Sequence, residues 1–119
     1  MGFDIYGIDP QTKKGHYFRN NVWYWRPLWK LITEHCSDIL DENDIKAGDW
    51  NDGHAISAKK ASKIYTRLLD RIDEITADIV IYEKRRAKEE GFDKNYPLTV
   101  DNLLDFIDFC RDSGGFTIH

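Results

Sequence analysis

Apolar residues follow two periods along this chain. Over residues 2–8, Gly-Phe-Asp-Ile-Tyr-Gly-Ile, Phe3, Ile5 and Gly7 fall on one side and Asp4 and Tyr6 on the other, the two-residue period of a strand. Asp9-Pro10 through Gly15 reads as a turn, because proline cannot continue a central ladder. His16-Tyr-Phe-Arg is then the return strand of a hairpin. From Asn21 the spacing changes to threes and fours, with Trp25, Leu28, Trp29, Ile32 and Cys36 on one face, which predicts a helix over 21–36. Pro27 is expected in its first turn, where a missing N–H costs nothing.

A short helix is expected near 41–47, with Asp41, Glu42 and Asp44 at its positive end and Gly48 as its stop. Ser57 is a good N-cap for the next helix. Ala61, Tyr65, Leu68, Ile72, Ile75, Ile79 and Tyr82 recur at alternating steps of four and three, a continuous seam on one long helix from Ala58 to about Glu90. Such a helix would run roughly 50 Å, against a diameter of about 35 Å for a compact domain of this size. It is therefore expected to protrude, bend or pair with a second copy, giving a homo-oligomer. Asp78-Ile-Val-Ile-Tyr82 has a strand as its minority reading. Gly91 should end the helix and Phe92 to Leu98 form a loop. Thr99 caps a last helix with Val100, Leu103, Leu104, Ile107 and Cys110 in one stripe, and Ser113-Gly-Gly stops it. Phe116 to His119 could add a strand beside residues 2–8. The expected architecture is α+β, mainly α: a small N-terminal sheet, joined or not by the C-terminal strand, packed with about three helices, one of them long.

At 119 residues the chain fits one domain, residues 1–119, and its 13% aromatic content argues against disorder. No apolar run approaches a membrane span, and the first residues lack the basic flank and apolar core of a signal peptide. A cytoplasmic protein is expected. Gly2 does not make a myristoylation signal, since Tyr6 stands where Ser or Thr is required. Cys36 and Cys110 are far apart, each on an apolar helix face, and read as small buried hydrophobes rather than a disulfide or metal pair.

Charge and aromatic content are unevenly spread. The chain carries a formal charge of −4, yet Lys13, Lys14, Arg19, Arg26 and Lys30 fall between Pro10 and Thr33 with no acidic residue among them. Residues 16–29 hold three of the four tryptophans. Arg and Trp dominate protein interface hot spots, and the same types could stack bases and hold phosphates or another anionic small ligand. The competing structural reading has Trp25 and Trp29 filling the core with arginines lying over aromatic rings. The acidic remainder of the chain works against extended duplex binding.

Gly48-Asp-Trp-Asn-Asp-Gly-His-Ala-Ile-Ser57 is the second unusual segment. A calcium loop starting at Asp49 fails, because Lys60 stands where the twelfth-position glutamate belongs. Asp49, Asp52 and His54 could join His16 or His35 at a divalent metal, although no spacing fixes them together. A tight turn accounts for the same residues, with Asn51 and Asp52 bonding back to the backbone and Gly53 left-handed. Among His16, His35, His54, His119 and Cys36 no nucleophile–base pair is defined. There is no Gly-rich phosphate loop or nucleophile elbow, and no cofactor is expected. Glu83 to Glu90 reads as a solvated helix end.

Gly2-Phe-Asp-Ile-Tyr-Gly7, Tyr17-Phe-Arg-Asn-Asn-Val-Trp-Tyr-Trp-Arg-Pro-Leu-Trp29 and Asn51-Asp-Gly-His-Ala-Ile-Ser-Ala58 resemble segments of a family of small uncharacterised bacterial and phage proteins. The resemblance covers roughly the first half of the chain. It implies a bacterial or phage origin, hence a host cytoplasm if phage-encoded, and carries over no activity. Together these features point to a non-enzymatic binding or regulatory protein with an unknown protein partner. Its expected contact residues are Arg19, Asn20, Asn21, Trp23, Tyr24 and Arg26, with Asp52 and His54 beside them if the two unusual segments meet. A small-nucleotide or single-strand binder and a metal-dependent hydrolase are the alternatives.

Overall fold

The computed structural model describes residues 2–88 and 96–119. Strand β1 (Gly2–Gly7) leads through a 3-10 turn at Lys13–Gly15 into β2 (Tyr17–Asn21), the predicted hairpin. There follow α1 (Val22–His35), α2 (Glu42–Ala47), β3 (His54–Ile56), α3 (Ala58–Asp70), α4 (Ile72–Lys88), α5 (Val100–Asp112) and β4 (Phe116–Ile118). The architecture is α+β and mainly α. The four strands form one antiparallel sheet in the order β2-β1-β4-β3. The C-terminal strand thus joins β1 as its alternation allowed. The turn expected at Asn51–Gly53 forms, with Gly53 at the left-handed φ of 93°, and leads into the edge strand β3, which was not expected.

Alternation sorts the sheet into two faces. Phe3, Ile5, Phe18, Ile56, Phe116 and Ile118 point inward and are buried. Phe3 stacks on Trp25 of α1 with ring centres 5.6 Å apart, while Phe18 and Phe116 meet Phe106 of α5 edge-on at 5.3 and 5.9 Å. The helices that supply these rings cover the inner face. Asp4, Tyr6, Tyr17, Arg19, Thr117 and His119 point outward, with Tyr6 and Tyr17 each 46% exposed.

Two helix boundaries differ from the sequence reading. Asn21 accepts the Tyr24 backbone N–H and fixes the start of α1 at Val22, so Pro27 lies in the second turn, inside the helix. Its ring leaves the Trp23 carbonyl without the usual i+4 donor. The single helix expected from Ala58 to Glu90 is divided at Arg71, whose φ of −105° and ψ of 14° leave helical geometry; its expected end at Glu90 and Gly91 lies outside the described residues. A straight helix over 58–88 would run about 46 Å, longer than the molecule's greatest extent of 42 Å. The bend keeps Ala61, Ile64 and Leu68 of α3 and Ile75 and Ile79 of α4 within one core. Of the seam that suggested a second copy, Ala61, Leu68, Ile75 and Ile79 are buried and Tyr65, Ile72 and Tyr82 are half-buried against the same core.

Arg67 reinforces this arrangement, donating to both Asp38 carboxylate oxygens at 2.7 Å and to the His35 carbonyl at the end of α1. Cys36 and Cys110 are buried free thiols. Burial pushes the Cys36 thiol up to about 11 and raises that of Cys110 as well. Among the described residues no helix is long and apolar enough to cross a membrane.

Candidate functional site

The two unusual segments do meet, through buried indoles. Trp25 and Trp29 stack with ring centres 5.3 Å apart, as their shared helical face requires. Trp25 Nε1 donates to the Gly48 carbonyl at 2.7 Å, and Trp29 Nε1 donates to the Ile45 carbonyl at 2.9 Å. Gly48 lies so close to the Trp29 ring that a Cβ there would overlap it. The first segment therefore holds the second in place with its core tryptophans.

The expected contact residues separate into distinct surroundings. Asn20 and Asn102 exchange amide hydrogen bonds at 2.9 Å in each direction, pinning β2 to the first turn of α5. Asn21 is the α1 cap. Arg19 pairs with Asp4 at 3.2 Å on the outer sheet face. Trp23 is 46% exposed and rests on Tyr96 with ring centres 5.1 Å apart, and Tyr24 beside it is exposed as well.

Arg26 lines a groove of about 580 Å³ on the helical side, formed by α1, the end of α2, α4 and residues 96–98. Pro27, Leu31, Tyr82 and Leu98 supply apolar wall. Arg26 and Lys30 bring positive charge, and Glu34, Asp49 and Asp78 negative charge. Among the described residues neither Arg26 nor Lys30 makes an ion pair.

Asp52 and His54 sit elsewhere. They belong to β3 and the turn before it, at the opposite sheet edge from β2. Asp52 accepts the His54 backbone N–H at 3.3 Å, the back-bonding turn read from the sequence. The His54 ring donates from Nε2 to Asp44 at 2.8 Å. Asp44, buried at 3% exposure, also completes a capping box with Asp41 and binds Lys60 Nζ. Burial pushes its carboxyl up, but hydrogen bonds from Lys60 and His54 outweigh that and hold it below the ordinary aspartate value. This network ties α2, β3 and α3 together. Among the described residues no three His, Cys, Asp or Glu side chains converge as metal ligands, so the Asp49, Asp52 and His54 metal reading gains no ligand set.

The sequence reading passed over the outer sheet face. Register places Tyr17, Tyr6 and Thr117 in one row across β2, β1 and β4, and Arg19 beside Asp4 in the next, with His119 on the other flank of Asp4. The Tyr6 ring centre lies 5.2 Å from that of Tyr17 and 5.4 Å from that of His119. The Tyr17 hydroxyl donates to Asp4, which raises its own pKa. Alternation alone put Asp4 and Tyr6 on one side. Comparison with protein-family models, curated proteins and solved structures finds no match for this chain.

Proposed function

We propose that this chain is a non-enzymatic binding or regulatory protein, bacterial or phage in origin and cytoplasmic, that receives a protein partner at the groove beside Trp23. The observation that carries this reading is the half-exposed Trp23 indole resting on Tyr96 at the groove wall, next to Arg26. An exposed aromatic on a rigid support, with an arginine alongside, is the composition of an interface hot spot. The groove's mixed charge favours a polypeptide carrying both signs over a polyanion, which Glu34, Asp49 and Asp78 would repel.

The test is affinity capture from host extract with the wild-type protein and with Trp23→Ala and Arg26→Ala variants, followed by a binding titration of the recovered protein. The expected result is one partner held by the wild type and weakened at least tenfold by either substitution. A partner whose affinity ignores both substitutions would overturn the assignment of this surface.

A further inference from the structure

A different surface, the outer face of the sheet, carries an array that the groove reading does not use. Helices cover the inner face, leaving Tyr17 and Tyr6 opposite each other on β2 and β1, with His119, one residue beyond β4, edge-on to Tyr6 at 74°. An antiparallel sheet with one solvated face normally fills it with scattered polar side chains. Here the two tyrosines are each 46% exposed, their ring centres 5.2 Å apart and tilted by 39°, and the His119 ring lies 5.4 Å from Tyr6. Their support is stiff: strand ladders fix the backbone, and the Tyr17 hydroxyl is held by Asp4.

The polar groups alongside suit a backbone of sugar and phosphate. Asp4 is paired with Arg19 at 3.2 Å and also accepts the Tyr17 hydroxyl, so its charge is locally balanced. The Arg19 side chain remains 50% exposed and has donors beyond the Nη1 spent on Asp4. Thr117 and His119 add hydrogen-bonding groups. Of the basic residues between Pro10 and Thr33, Arg19 lies on this face beside Asp4, Lys14 pairs with Asp108, and Arg26 and Lys30 line the groove on the helical side.

We propose that the outer sheet face binds single-stranded nucleic acid, with bases stacked on Tyr6, Tyr17 and His119 and a phosphate held by Arg19. Stacking on aromatic faces tolerates any base sequence, and several rings on neighbouring strands accommodate successive bases. A duplex keeps its base faces stacked inside and offers nothing to these rings. With one principal phosphate ligand, binding weakens only modestly with salt.

The experiment is fluorescence polarisation of a labelled oligodeoxythymidylate of about eight nucleotides at low salt, with folding of each variant checked by circular dichroism. Saturable binding by the wild type is expected, weakened about tenfold or more by Tyr6→Ala and by Tyr17→Ala, retained by Tyr6→Phe, and unchanged by Trp23→Ala. A duplex of the same length and thymidine monophosphate should bind at least tenfold more weakly. Absence of wild-type binding, indifference to Tyr6→Ala and Tyr17→Ala in folded protein, or equal affinity for the duplex or the mononucleotide would each overturn the proposal. Loss on Trp23→Ala alone would do so too.

Discussion

The indole N–H of Trp25 points at the carbonyl of Gly48, 2.7 Å away in the centre of the fold. Trp25 is fully buried, so neither group has water to turn to. Replacing Trp25 with Phe keeps most of the ring volume but strands that carbonyl, at a cost of about 1–3 kcal/mol. Trp25→Ala should cost more, about 3–5 kcal/mol. Urea denaturation followed by circular dichroism measures both, and equal stability of Trp25→Phe and wild type would show that the hydrogen bond contributes nothing.

Acid sensitivity should follow Asp44. Its folded pKa lies below its unfolded value, so its ionised form contributes stability above the ordinary aspartate range, and that contribution disappears as pH falls through the depressed folded value. Asp38 acts in the same direction: its hydrogen bonds from Arg67 hold it at about 2, although solvent screens its exposed side chain. Stability should therefore be flat near neutrality and decline below about pH 4. Asp44→Asn should be less stable than wild type at pH 7, and the gap should narrow as the pH is lowered. A gap that widened on acidification would contradict this sign.

Lys60→Met tests the same network from the other partner. It leaves the buried Asp44 carboxylate with His54 and the Asp41 backbone N–H but without its ammonium. A loss of about 2 kcal/mol is expected, seen as an earlier thermal midpoint. Lys59→Met, at an exposed neighbouring position, should change little.

Both thiols should be silent in the native protein. Burial raises the pKa of Cys36 to about 11 and that of Cys110 well above the ordinary thiol value, so little thiolate exists at neutral pH and neither sulfur is accessible. Ellman's reagent should label neither at appreciable rate until denaturant is added, when two thiols appear. Rapid native labelling of either would place it at the surface.

Tryptophan quenching separates the indoles by position. Trp23 and Trp50 are 46% and 67% exposed, whereas Trp25 and Trp29 are 0% and 3% exposed. Iodide should quench only part of the emission, and Trp23→Phe with Trp50→Phe should remove most of the quenchable fraction. Uniform quenching in the double variant would mean the core pair is open to solvent.

Local signals were legible wherever a short stretch decides its own structure. The hairpin strands follow from alternation in residues 2–8, and Ser57 and Thr99 cap their helices as their types suggest. Helical spacing likewise assigned Trp25 and Trp29 to the core and left Trp23 outside. The Arg71 bend was hidden because the apolar seam runs through it without a glycine or proline. Strand β3 was hidden because His54-Ala-Ile is too short to show a period and exists through its pairing with β4. The outer aromatic row escaped because Tyr6 meets Thr117 and His119 only through a strand register between distant segments. Asp52 and His54 were grouped with the Trp and Arg segment by composition, yet the segments touch through buried indoles and the exposed members of each lie apart.

The sheet order has a consequence for synthesis. Strand β4 fills the gap between β1 and β3, so one late segment closes two pairings at once. While the chain emerges from the ribosome, β1 and β2 can zip together early, but the other side of β1 has no neighbour until residues 116–118 are made. Such distant pairings are slow to form. The row of Tyr17, Tyr6 and Thr117 comes into being only when residues 116–118 pair with β1, so anything that docks there meets a sheet already joined across β1 and β4.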